Sequence, residues 1–295
     1  VKLDTLERAQ QLKSRGYIVL PDPDDAKVQE AFKAGSFTEF ERHSRIGMVE
    51  QESFMARVEA LRNAGAKYVF LKTGAYRPAD LARAVKFASD AKLDLLTVDG
   101  AGGGTGMSPW RMMNEWGVPT VYLQAMLVKY CDKLAAKGAY VPPVAIAGGF
   151  TLEDHMYKGL AIGAPYTKAI GMARSALSAA MVGKTVGEAI KNGKIPAEYK
   201  KYGETMDQIF IGATELKEKL GTEAFNRLPA GAIGVHTYFE RLAQGLRQFM
   251  CGSRKFALDY LNRNDVVALT KDAAEITGIQ YIMDADADEV EQILS

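Results

Sequence analysis

The sequence is poor in the residues that build metal centres. It has two cysteines, Cys131 and Cys251, in 295 residues. Two thiols so far apart exclude a CxxC zinc site and an iron–sulfur cluster ligated by these residues alone. They also argue against a disulfide-stapled secreted domain, which is smaller and richer in cysteine. Reduced thiols in a cytoplasmic protein are the expectation. The three histidines, His43, His155 and His236, have no metal-ligand spacing. His43, beside Ser44 in a polar stretch, is the one retained as a possible active-site residue. An excess of one charge is missing too: Lys+Arg number 37 against Asp+Glu 36, for a net charge of +1. A nucleic-acid binder would show a strongly basic face. There is no run of ~20 apolar residues and hence no membrane span; the uncharged stretch 139–151 is broken by Pro142, Pro143, Gly148 and Gly149. The first ten residues, VKLDTLERAQ, carry no apolar signal core. GxSxG is absent, which removes the nucleophile elbow of serine hydrolases.

What is present is a soluble-globular composition, 47% hydrophobic and 25% charged. An α/β barrel reaches this length as one unit. Three zones differ in texture. Residues 1–50 form a polar N-terminal segment with one apolar run at 17–20. Residues 51–190 alternate short apolar runs with amphipathic stretches. Residues 191–295 read as charged helices. In the middle zone YVFLK (68–72), LDLLTV (93–98), VAIAGG (144–149) and YTKAIG (166–171) read as buried strands. The first three are followed by helical patterns with good start signals, Pro78, Ser108-Pro109 and a capping box at Thr151-x-x-Asp154, and the fourth leads into a helical stretch over 174–181. VPTVYL (118–123) reads as an extra strand or an embellishment. Apolar strands alternating with helices imply βαβ units in a parallel sheet, of Rossmann or (β/α)8 type.

The chemistry gathers at the C-terminal strand ends, where α/β folds place ligands. GAGGGTGMSP (100–109) holds five glycines. Without Cβ atoms, such a loop brings backbone N–H groups close to an anion or a planar ring. It is neither a complete GxGxxG fingerprint nor a Walker loop, since it lacks GK[ST]. AGGF (147–150) and IGMARS (170–175) follow consecutive strands, and two such loops at helix N-termini cradle phosphate in many barrels. Arg174 would add a bidentate contact. Lys72 ends an apolar strand, where a lysine needs a partner: a ligand's negative charge, or Asp99 at the neighbouring strand end.

These residues resemble the flavin-binding barrel of glutamate synthase and its stand-alone relatives. LLTVDGAGGGTGMSP, VAIAGGF and LAIGAPYTKAIGMARSAL follow that family's order over about residues 65–183, with GGTG-x-SP the most specific element. The resemblance implies an α/β fold of TIM-barrel type, that of an FMN-linked oxidoreductase, with FMN as cofactor and an amino or keto acid-like small molecule as substrate. It implies that Gly103, Gly104, Thr105 and Gly106 approach flavin and substrate, beside Asp99. Gly148, Gly149 and Gly171, with Met172 and Arg174, would hold the FMN phosphate. Lys72 would lie at the flavin's pyrimidine edge as the catalytic residue, stabilising charge on the reduced ring. The family's three-cysteine iron–sulfur segment has no counterpart after the phosphate helix, and no N-terminal nucleophilic cysteine is present. Alternatives are a non-flavin phosphate-binding barrel, IMP dehydrogenase-like or an isomerase, and a degenerate scaffold subunit. If the AGGF and IGMARS loops follow strands 7 and 8, this chain holds only the later βα units, with a C-terminal helical region. An upstream segment or a partner chain would complete the barrel, within an oligomer.

Overall fold

The computed structural model describes residues 3–43, 50–74, 77–103, 115 and 117–295. Two compact units divide at residues 69 and 70, rather than at the texture changes near 50 and 190. In the first unit, α1 (Leu6–Ser14), α2 (Ala26–Lys33) and α3 (Gln51–Asn63) accompany β1 (Ile18–Leu20) and β2 (Glu41–His43). Thr5 and Asp25 cap α1 and α2 through their side chains, as short polar residues at N-caps do. Leu3, Ala9, Val19 and Phe40 form the core of this unit. The rings of Phe32, Phe37 and Phe40 meet around it at centroid distances of 4.9–5.4 Å.

The apolar run 17–20 is a strand, as expected, but its pairing is antiparallel, Ile18 with His43 and Leu20 with Glu41. It belongs to a two-stranded sheet of its own. Its partner reads Glu-Arg-His, so polar that nothing marks it as a strand. His43 thereby closes a strand instead of sitting in a loop, and Ser44 lies outside the described residues.

The second unit contains β3 (Phe70–Thr73), α4 (Pro78–Asp90), β4 (Leu95–Asp99), α5 (Thr120–Ala135), β5 (Val144–Ala147), α6 (Glu153–Ile162), β6 (Thr167–Gly171) and α7 (Arg174–Lys191). The four strands form one parallel sheet in sequential order, β3-β4-β5-β6. Successive parallel strands with intervening helices are a partial TIM-barrel-like arrangement. Leu96, Val98, Val144 and Ile146 are fully buried on one face. α4 packs on β3 and β4, α6 on β6, and α5 against α4. The other face carries Lys72, Thr97, Asp99, Ala147 and Gly171 in register.

β3 departs from the expected buried strand: Phe70 is 59% exposed. An apolar run alone does not separate an inner strand from an outer one. VPTVYL is not a strand. Pro119 stands at the N-cap and Thr120 opens α5, whose Leu123, Leu127, Val128 and Cys131 repeat at the helical period. The start of α6 also shifts. His155 Nδ1, not Asp154, accepts from the backbone N–H groups of Thr151 and Leu152 at 3.3 and 3.4 Å, while Asp154 pairs with Lys158 at 2.8 Å.

The C-terminal segment belongs to the same unit and is helical, with α8 (Ala213–Leu220), α9 (Ala230–Gly252), α10 (Lys271–Thr277) and α11 (Ala287–Leu294). α9 lies directly on α7 because glycines face each other. A Cβ at Gly183 would stand 2.5 Å from Ala230 O and 3.0 Å from Gly234 Cα. Arg263 ties this segment down. Its guanidinium donates to Ile162 O at the end of α6 (2.6 Å) and to Thr277 O at the end of α10 (2.5 Å), a cation placed at two negative helix ends. Among the described residues no helix is long and apolar enough to cross a membrane.

The two thiols differ sharply. Burial, with the Asp132 carboxylate adding to it, pushes the Cys131 thiol up from 9.0 to about 12, whereas Cys251 is exposed. A thiol reagent near neutral pH is therefore expected to modify one cysteine of the folded protein and two in urea. Equal rates at both sites without denaturant would contradict this. Between pH 9.0 and about 12 the unfolded chain releases a proton that folded Cys131 retains. Stability should thus fall as pH rises through that window.

Candidate functional site

The sheet register brings the expected residues to one end. Ala147 at the end of β5 stands between Asp99 at the end of β4 and Gly171 at the end of β6, and Lys72 sits beside Thr97 near the end of β3. Lys72 Nζ lies 3.1 Å from Asp99 Oδ2, so the alternative of a pair between neighbouring strand ends is realised. The two partners are not alike. Asp99 is 5% exposed, while the Lys72 side chain is 52% exposed. A buried carboxylate thus holds a half-exposed cation.

The loop after Asp99 turns tightly, with Gly103 N–H donating to Gly100 O at 2.9 Å and Gly102 at φ +82°. Gly103 passes so close to the Asp99 carboxylate that a Cβ there would overlap Oδ1. Gly104, Thr105 and Gly106, and the proposed cap at Ser108-Pro109, lie outside the described residues. The chain returns at Val118, whose carbonyl accepts from Ala101 N–H at 2.8 Å.

The glycines after β5 and β6 divide by what surrounds them. Gly148, at φ +120°, has no room: a Cβ would lie 2.5 Å from Thr120 Oγ1 and 2.8 Å from both N and O of Gly100. At Gly171 a Cβ would stand 2.9 Å from Ala147 Cβ, so its smallness serves the approach of β6 to β5. Gly149, at φ +82°, has nothing within 4 Å of that position. Its open backbone is the one suited to a ligand.

The two helix N-termini at this end also differ. That of α6 carries Glu153 and Asp154 in its first turn, with His155 turned back onto the N–H groups of Thr151 and Leu152, a poor place for another anion. α7 begins at Ala173 with no side-chain cap, has no acidic residue in its first turn, and places exposed Arg174 at its first position. Uncapped first-turn amides and a helix dipole favour a phosphate there. Ser175 Oγ donates to Phe150 O at 3.4 Å, linking this turn to the AGGF loop. An FMN phosphate fits this set of groups: open backbone at Gly149, free amides on α7, and Arg174.

Sequence reasoning missed Thr120, whose hydroxyl donates to Gly148 O at 2.7 Å. The usable signal was Pro119, a helix-start residue hidden among β-branched neighbours.

Among known proteins, residues 41–183 match the model of the conserved region in glutamate synthase. No curated protein matches the chain. The match ends where the motif order ends and begins upstream of β3, covering the strands that bear Lys72, Asp99, Ala147 and Gly171. Residues 41–183, just under half of the chain, are thus a region of glutamate synthase-family type.

Proposed function

We propose that this chain is an FMN-dependent oxidoreductase domain of glutamate synthase type, acting on an amino or keto acid-like small molecule. One observation carries the reading: the half-exposed Lys72, held at 3.1 Å by buried Asp99, shares a strand-end surface with the uncapped start of α7. When bound, FMN would supply the hydride and electron transfer. The chain's own residues bind and orient. Arg174, the first amides of α7 and Gly149 take the phosphate, and Gly103 keeps the glycine loop tight against Asp99. Lys72 presents its ammonium to negative charge that develops during reaction, a placement that preorganised sites use. Asp99 fixes the lysine's position.

Titration of the protein with FMN and with riboflavin tests the phosphate assignment. FMN is expected to bind at least about tenfold more tightly, a charge-assisted difference; equal affinities would remove the phosphate cradle. We further infer that the strands beyond these four come from preceding polypeptide or a partner chain. β6 has β5 as its one described neighbour, and α7 exposes Leu177, Met181 and Val182. The same titration on a polypeptide extended upstream should give tighter FMN binding. An unchanged affinity would count against completion from that side.

A further inference from the structure

The structure assigns to Thr120 a role as the positioning residue that couples the glycine loop at 100–103 to the loop at Gly148–Gly149. The inference rests on the flavin reading for its consequence and on geometry for its basis. Thr120 is the first residue of α5. Its Oγ1 donates to Gly148 O at 2.7 Å and lies 3.5 Å from Ala101 O. Its body fills the space left by two missing side chains. A Cβ on Gly100 would meet Thr120 Cα at 2.7 Å, and one on Gly148 would meet Thr120 Oγ1 at 2.5 Å. The backbone closes the same junction: Gly100 N–H donates to Ala147 O at 2.7 Å, and Ala101 bridges to Pro119.

Three segments distant in sequence therefore meet at one hydroxyl. The first leads into the glycine loop expected at the ring, the second into the open Gly149 expected at the phosphate. A ligand spanning both loops requires a fixed separation between them. Thr120 sets that separation without touching the ligand, so its loss should show first in the coupling of the two loops. The isosteric Thr120→Val keeps the volume and removes the donor, leaving Gly148 O without this bond, whereas Thr120→Ser keeps the donor.

Hydrogen exchange on the flavin-free protein reads the coupling. Thr120→Val is expected to speed exchange at 100–103 and at 148–149 together by about tenfold, as expected when a partly buried bond is lost. Thr120→Ser should remain near wild type. With FMN, the valine variant should bind about tenfold more weakly and show an altered visible flavin spectrum, and serine should restore both. Acceleration at one loop only, or equal effects of valine and serine, would overturn the coupling. Wild-type affinity and spectrum in Thr120→Val would overturn the positioning role. Should wild type bind no flavin, the flavin reading and the positioning role fall together, while exchange still decides the coupling. If the valine variant does not fold, Thr120→Ala supplies the same donor loss with less bulk.

Discussion

Replacing Lys72 by alanine is expected to slow reduction of bound flavin about 100-fold, the scale on which single electrostatic contacts to developing charge act. The fold should survive. The Lys72 side chain is 52% exposed but its partner Asp99 is buried, so the loss should exceed the ~0–1 kcal/mol of an exposed pair while leaving the fold intact. The comparison that matters is between the two losses. Stopped-flow reduction of the reconstituted protein, beside its unfolding midpoint, separates them. A variant that reduces flavin at the wild-type rate would show that the ammonium does not act on the ring. A variant that simply unfolds would show instead that the pair with Asp99 is structural. Asp99→Asn offers a second view, since it keeps the lysine and loses the charge that orients it. It should slow reduction less than Lys72→Ala does.

The second large effect concerns two adjacent glycines. Gly148→Ala is expected to destabilise the protein by about 3 kcal/mol or more, from strain at positive φ together with overpacking. The new methyl would meet Thr120 Oγ1 at 2.5 Å and the Gly100 backbone at 2.8 Å. Gly149→Ala has a similar backbone penalty at φ +82° but open space around the methyl, so its cost should stay near about 1 kcal/mol. Its effect should fall on FMN affinity instead. Urea unfolding of the flavin-free variants measures the contrast. If Gly148→Ala proved no less stable than Gly149→Ala, the junction at Thr120 would be looser than described.

Much of this site was legible because the informative residues end apolar strands. Lys72 stands one residue before the end of β3 and Asp99 closes β4, and a charge in that position announces either a partner or a ligand. The runs around β4 and β5 announce themselves by unbroken apolar character, since strands covered by helices lose their alternation, whereas β6 reads equally apolar yet exposes Lys168 and Ala169. What was hidden depends on tertiary context. Val118, Thr120 and Val121 favour a strand locally, yet Pro119 and the apolar face from Leu123 to Cys131 turn the segment into a helix. Phe70 looks like core and is exposed, because its neighbours in space, not in sequence, decide its burial. Tyr17 to Leu20 reads as a strand but its partner, Glu41 to His43, is set by pairing that no local pattern reveals. Likewise, Gly148 and Gly149 are equivalent letters in AGGF. One is packed against Thr120 and the other is open, so a motif that seemed to offer two ligand contacts offers one open backbone and one structural joint.

The central claim, that this strand-end surface holds FMN, is tested most directly by the visible spectrum of the protein after it is incubated with FMN and then freed of unbound flavin. Retained flavin at close to one per chain, lost or markedly weakened when Arg174 and Gly149 are substituted together, is the predicted result. A colourless protein, or flavin retained equally by wild type and that double variant, would contradict the account.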